Sequence, residues 1–212
     1  GACPVRRKQA FMKRSAYLIG GLLAGLAISL GVWAWLLNGF YTYQGVVIDP
    51  PAPAPDFSLT DQHGADYRLS AHSGKVRLIF FGYTNCPDVC PITLSEFKRI
   101  KARLGERAGQ VEFIFITVDP ERDTVERLEG FMNNFDPSFI GLTGSPEALE
   151  QVWKAYGVYH QKQEVGSAAG YLVDHSSRTY AIDAQGRWRI NYPFGMEPEK
   201  IAEDIAHLLA EQ

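Results

Sequence analysis

Val76-Arg-Leu-Ile-Phe-Phe-Gly-Tyr-Thr-Asn-Cys86-Pro-Asp-Val-Cys90-Pro91 is the stretch that decides the fold. Its first six residues, VRLIFF at 76–81, are almost wholly apolar, the pattern of a short strand covered on both faces. The last part is a helix start, because Pro91 has no N–H to lose in a first turn. Cys90 therefore falls at a helix N-terminus, where unpaired N–H groups and the dipole favour a thiolate. Cys90 lies four positions after Cys86, which brings the two side chains to one side of a helical turn, about 5–6 Å apart at Cβ. A modest closing of that distance gives either a disulfide or a metal chelate. A bridge closed over so short a loop removes little unfolded-state entropy, so chemistry explains the pair better than stability does.

Working outward, Phe57-Ser-Leu-Thr60, the turn Asp61-Gln-His-Gly64 and Tyr67-Arg-Leu69 read as a hairpin. Beyond the cysteines, Glu96 to Arg107 carries Phe97, Ile100 and Leu104 at helical spacing, and Val111 to Val118 is a second buried strand. Asp123-Thr-Val-Glu126 reads as a capping box opening a helix with Val125, Leu128, Phe131 and Met132 inward. Ser145-Pro146 starts another helix. Thr179 to Ile182 and Trp188 to Tyr192 form a closing hairpin around Ala184-Gln-Gly186, and Pro198 begins a last amphipathic helix. This alternation predicts an α/β domain, a sheet flanked by helices.

Toward the N-terminus, no charged residue occurs from Ser15 to Ile48, and Ala16 to Leu37 is nearly all apolar, long enough to cross a hydrocarbon core of about 30 Å. Arg6, Arg7, Lys8, Lys13 and Arg14 precede it, and no further Lys or Arg comes until Arg68. The positive-inside rule then keeps residues 1–15 cytoplasmic as a basic tail and exports the main domain, with Trp33, Trp35, Tyr41 and Tyr43 near the far interface. A cleaved signal peptide would have an apolar region of about 7–15 residues ending in a small-residue pattern, whereas this one is longer and ends Trp-Leu-Leu-Asn. The expected organisation is a tail at 1–15, a transmembrane helix at 16–37, a proline-rich linker at 38–55 and one domain at 56–212. Asp49-Pro-Pro-Ala-Pro-Ala-Pro55 is read as a semi-rigid spacer. Cys3 receives no role.

The 212 residues suffice for one well-buried domain plus an appendage. An apolar fraction of 46% and a charged fraction of 21% exclude disordered and fibrous classes. A net charge of -3, with no basic face outside the N-terminal cluster, argues against nucleic acid as a partner.

Three motifs, TNCPDVCP at 84–91, VDPERDT at 118–124 and VDHSS at 173–177, make Ala54 to Leu209 resemble the Sco (SenC) family of copper chaperones. The resemblance implies a thioredoxin-like fold in which Cys86, Cys90 and His175 bind copper, as copper(I) with copper(II) a second state. Coordination chemistry agrees, since copper(I) prefers thiolate and one imidazole completes a three-coordinate site. Zinc would want a fourth ligand, and none is nominated. Asp174 is expected to orient His175, while His63, His72, His160 and His207 read as surface or turn residues. Asp88 and Asp119 are candidate electrostatic tuners, with loop and turn roles as the ordinary alternatives.

The implied function is a membrane-anchored metallochaperone, not an enzyme, serving assembly of the Cu-A centre of cytochrome c oxidase. Its implied partners are the copper-bearing oxidase subunit, an upstream copper donor and a thiol reductant. A bacterial inner membrane with the domain periplasmic is the expected location, the mitochondrial inner membrane the alternative. The rival is a tethered thiol-disulfide reductase using the redox-active pair Cys86 and Cys90. Such enzymes usually carry Cys-x-x-Cys and, as a family, a cis-proline before a late strand, yet no proline lies between Pro146 and Pro193. A peroxidase of the peroxiredoxin type is a weaker third reading, for its Pro-x-x-x-Thr-x-x-Cys pattern does not occur around Cys86.

Overall fold

The computed structural model describes residues 20–34, 41–164 and 171–211. The chain divides into two units, Gly1–Thr42 and Tyr43–Gln212. In the first, residues 20–34 are helical (α1), with Leu22, Leu23, Leu26 and Ile28 exposed. Fifteen residues at about 1.5 Å rise give about 22 Å. Among the described residues no helix is long and apolar enough to cross a membrane. The remainder of the expected 16–37 span, and the basic tail, lie outside the described residues.

The second unit is organised around β4 (Val76–Gly82) and β5 (Val111–Thr117), parallel neighbours buried at every position. Continuous apolar runs demand this placement, because both faces of a central strand meet other elements. Arg77 is the one charge in β4, and its guanidinium donates to the carbonyls of Leu69, His72 and Asp183. With β1 (Val46–Pro53), β2 (Ser58–Asp61), β3 (Asp66–Arg68), β6 (Ile140–Thr143), β9 (Thr179–Ile182) and β10 (Arg187–Tyr192), they make an eight-stranded mixed sheet in the order β1-β10-β9-β4-β5-β6-β2-β3. A separate two-stranded sheet pairs β7 (His160–Glu164) with β8 (Tyr171–His175). Helices α2 (Val89–Leu104) and α5 (Pro198–Ala210) pack on each other, α3 (Val125–Phe135) on β6, and α4 (Pro146–Ala155) on β2.

Several expectations hold in detail. The hairpin around Gly64 is β2–β3, Ser145 caps α4 with Pro146 in its first turn, and the closing hairpin is β9–β10. Others change. The helix expected to open at Cys90 and Pro91 begins at Val89, and its buried stripe adds Cys90 and Leu94 to the Phe97, Ile100 and Leu104 read from spacing. The capping box does not form: Thr124, not Asp123, is the N-cap, accepting from Arg127 N, and Asp123 is wholly buried elsewhere.

The proline-rich stretch is not a free spacer. Val46–Pro53 is an edge strand, with Val46 opposite Asn191 and Ala52 opposite Trp188, and a register shift between Val47 and Ala52. Proline is tolerated there because one side of an edge strand needs no ladder donor. The strand entry is fixed by Asp204 of α5, which accepts from the backbone N–H groups of Gln44 and Gly45. The β7–β8 hairpin has no counterpart in the sequence reading, since HQKQE lacks an apolar alternation.

Candidate metal centre

β4 runs straight into the cysteine loop. Its last residue, Gly82, is a glycine for lack of room, because a Cβ there would lie 2.8 Å from Cys90 Sγ and 2.8 Å from a Phe115 ring carbon. After Tyr83 the chain turns, with Cys86 N–H bonded to the Tyr83 carbonyl at 3.2 Å, and α2 begins. Cys86 is half-buried and Cys90, in the first helical turn, is fully buried. Both are free thiols. The N–H of Cys90 points at Cys86 Sγ, 3.5 Å away, so a helix-terminal donor faces the outer sulfur.

His175 comes from the far end of β8 and closes the site. Its Nε2 lies 3.7 Å from Cys90 Sγ. Its Nδ1 lies 3.1 Å from the Ser176 carbonyl, which only a protonated Nδ1 satisfies. That bond leaves the Nε2 lone pair facing the sulfurs, as a neutral imidazole ligand requires. The rings of Phe80 and Tyr83 approach the imidazole edge-on, with centroids 6.0 and 5.9 Å away, and fix its plane.

The donor atoms of Cys86, Cys90 and His175 all lie within 4.8 Å of one another. Metal–sulfur and metal–nitrogen bonds of about 2.0–2.3 Å would set three trigonal donors about 3.5–4 Å apart, so little movement is needed to hold one ion. Two sulfurs and one nitrogen, with no carboxylate in the group, form a soft set that suits copper(I) over calcium or magnesium.

The two sulfurs are driven apart electrostatically. A hydrogen bond from Cys90, with further ones from the backbone N–H groups of Asp88 and Cys90, pulls the Cys86 thiol down to about 3 from 9.0. Burial pushes the Cys90 thiol up, and the adjacent Cys86 thiolate adds to that. The metal-free pair therefore holds one thiolate, on the more exposed sulfur, and one proton shared toward it.

Of the expected tuners, Asp88 reaches a donor through its backbone N–H on Cys86 rather than through its carboxylate. Asp174 is exposed, and the Ser176 carbonyl takes the orienting role expected of it. Asp88 is exposed at the N-cap of α2 and makes no side-chain cap bond. Asp119 is buried against Arg122. His63 and His207 pair with Glu129 and Glu211, in line with surface roles. His72 and His160 differ. His72 stacks on Tyr67 and lies 2.9 Å from the buried Glu112. His160 is directly opposite His175 in the β7–β8 register, with its ring against Trp153. Gly82, Tyr83 and Ser176 were missed from sequence; a glycine ending a strand beside a cysteine was the one available signal.

The SCO1/SenC family model matches residues 48–210. A SCO2-like protein of Rickettsia conorii is 35% identical over 149 residues, covering 70% of this chain and 73% of that protein. The mitochondrial SCO2 homolog of Bos taurus is 36% identical over 157 residues, 73% of this chain and 59% of its own length. Among solved structures, Bradyrhizobium japonicum ScoI with copper bound is 39% identical with a TM-score of 0.69, covering 74% of this chain and 100% of that one. The α/β domain is accordingly of the thioredoxin-like type.

Proposed function

The chain belongs to the SCO1/SenC family, and on that premise we propose that it is a copper(I) metallochaperone serving the Cu-A centre of a cytochrome c oxidase. The observation that carries this reading is the convergence of Cys86 Sγ, Cys90 Sγ and His175 Nε2 on one point, with the imidazole already in the ligand tautomer. Copper is cargo. Cys86 offers a ready thiolate, Cys90 gives up its proton on binding, and His175 completes a three-coordinate soft site. Cys86 is half-buried, so the ion would be held near the surface, where an acceptor site can take it by ligand exchange.

The copper-bound relative supports the metal, and the family supports the oxidase. The acceptor is then the copper-bearing oxidase subunit, with a copper donor and a thiol reductant upstream. The N-terminal segment is proposed as a single-pass anchor, on its uncharged 15–48 stretch and basic flank, with the domain on the extracytoplasmic side of a bacterial inner membrane or its mitochondrial equivalent.

A thiol-disulfide reductase is the second reading, favoured by the depressed, accessible Cys86 thiolate. Cys86 would attack a substrate disulfide and release one thiolate; Cys90 would then attack Cys86 Sγ, release the second and leave a Cys86–Cys90 disulfide. A reductant would restore the dithiol. His175→Ala separates the two readings, since imidazole is needed for metal and not for exchange.

The decisive measurement is copper per chain on full-length protein in detergent. About one copper(I) is expected on the reduced form and almost none on the oxidised form, because a disulfide leaves no thiolate ligands. Equal loading of both forms refutes the assignment of the cysteine pair. So does unaltered copper(I) affinity in a Cys86→Ser variant.

A further inference from the structure

The loop after β5 contains two fully buried carboxylates, Asp119 and Asp123. The Asp119 carbonyl accepts the N–H of Arg122 at 3.2 Å and that of Asp123 at 3.0 Å, so the loop is wound into a tight turn. A carboxylate is tolerated in such a place only where fixed donors or a cation replace its water. The partners of each therefore reveal what it holds, and they belong to opposite halves of the metal centre.

Asp123 serves the cysteine side. It accepts the Thr84 N–H at 3.1 Å, the Thr84 hydroxyl at 2.6 Å and the Thr117 hydroxyl at 2.7 Å. Arg127 Nε donates to the same Thr84 hydroxyl at 3.0 Å, and its Nη2 donates to the Asn85 side chain. Thr84 and Asn85 are the two residues before Cys86.

Asp119 serves the histidine side. One of its oxygens pairs with Arg122 Nε and the other accepts the Tyr171 hydroxyl at 2.7 Å. Arg122 Nη1 donates to the Tyr171 carbonyl at 2.9 Å, and its guanidinium sits 3.6 Å from the Tyr171 ring centroid. Glu121 pairs with Lys162 of β7 at 2.6 Å. Tyr171 opens β8, the strand that ends at His175.

We propose that the loop Val118–Thr124 is a positioning hub that sets the separation between the cysteine pair and His175, gripping Thr84 through Asp123 and the β7–β8 hairpin through Asp119 and Arg122. The proposal rests on the copper reading for its functional meaning. Its physical ground is that β7–β8 forms its own sheet, outside the eight-stranded ladder, so side chains rather than pairing with that ladder hold Tyr171 against the loop. The base of the hairpin has other moorings. Val173 is buried, its N–H meets the Tyr83 hydroxyl, and Ser176 N–H bonds the Tyr159 carbonyl at 3.0 Å. Loss of the clasp should loosen His175 without releasing the hairpin, which makes Arg122 and Asp119 positioning residues.

The test is a copper(I) competition titration on reduced full-length protein in four forms: parent, Arg122→Gln, His175→Ala and the double variant. Arg122→Gln should weaken binding about tenfold in the parent, the scale seen when partners behind a metal ligand are removed. It should have no further effect beside His175→Ala, since its influence passes through the imidazole. Thr84→Val acts on the cysteine side, so its loss should persist in the His175→Ala background. No effect of Arg122→Gln in the parent, or an equal loss in both backgrounds, overturns the hub.

A metal-free readout separates this failure from failure of the copper reading. Nuclear Overhauser contacts from the His175 ring to the Phe80 and Tyr83 rings should weaken in Arg122→Gln while core methyl resonances stay native. If His175→Ala leaves copper affinity unchanged, the ligand assignment falls and these contacts alone decide the hub; unchanged contacts refute it. Should Arg122→Gln not fold, Tyr171→Phe, which removes only the hydroxyl on Asp119, takes its place in every arm.

Discussion

Gly82→Ala puts the packing under the metal centre to the test. A Cβ at residue 82 would stand 2.8 Å from Cys90 Sγ, 2.8 Å from Phe115 Cε2 and 2.9 Å from Phe80 Cε1. All three neighbours are fully buried, so none can swing into solvent. Forcing one carbon into a closed core costs about 1–3 kcal/mol. Against this, replacing glycine stiffens the unfolded chain and returns about 0.4–1 kcal/mol. The net expectation is a destabilisation of about 1–2 kcal/mol, read as a lower urea midpoint at unchanged slope.

The same substitution has a chemical consequence. The cheapest relief is to push Cys90 Sγ away from β4, which moves it relative to His175 Nε2, now 3.7 Å distant. Copper(I) affinity should therefore fall together with stability. In a Cys90→Ala background the sulfur is gone, and Gly82→Ala should cost less there than in the parent. A stability change within about 0.5 kcal/mol of zero, the ordinary range for a surface substitution, would refute the reasoning.

Three further outcomes are expected. Cys86, with its thiol at about 3 against 9.0 for an unperturbed group, should react with iodoacetamide at pH 5 to 6 while Cys90 stays inert, as mass spectrometry of the labelled peptides can read. The sign follows for stability as well: a depressed acid favours the fold above its unfolded value, and this contribution is lost as pH falls from about 9 toward 3. Equal labelling of both sulfurs at pH 5 would contradict the asymmetry. Thr124→Ala should cost about 1 kcal/mol, the usual loss of an N-cap, whereas Asp123→Ala should cost more because it strands the Thr84 N–H and two hydroxyls in a buried site. Denaturant titration of both variants checks the order, and a smaller loss for Asp123→Ala than for Thr124→Ala would contradict the buried role given to that carboxylate.

Much of the domain could be read from local pattern. VRLIFF and VEFIFIT are buried strands because nothing in them tolerates water, and their parallel pairing follows from the helix between them. The cysteine pair was legible because strand, turn and Pro91 set a helix start by short-range rules. His175 was legible only through the company of its motif. Its approach to Cys90 spans 85 positions, and no periodicity in the chain encodes that.

What the sequence by itself determined was therefore the elements and the donor types, since these depend on neighbours within a few residues. Tertiary structure decided the pairings. The proline-rich 46–53 stretch becomes an edge strand because β10 offers it a ladder, a partner some 140 positions away. Asp123 leaves its apparent cap because Thr84 and Thr117 converge on it from two strand ends. Asp174 loses the orienting role to the Ser176 carbonyl because the direction of the imidazole is set by the hairpin's docking, not by its neighbour in the chain. Each of these is a choice among partners of similar chemistry, and only distance in the folded chain makes it.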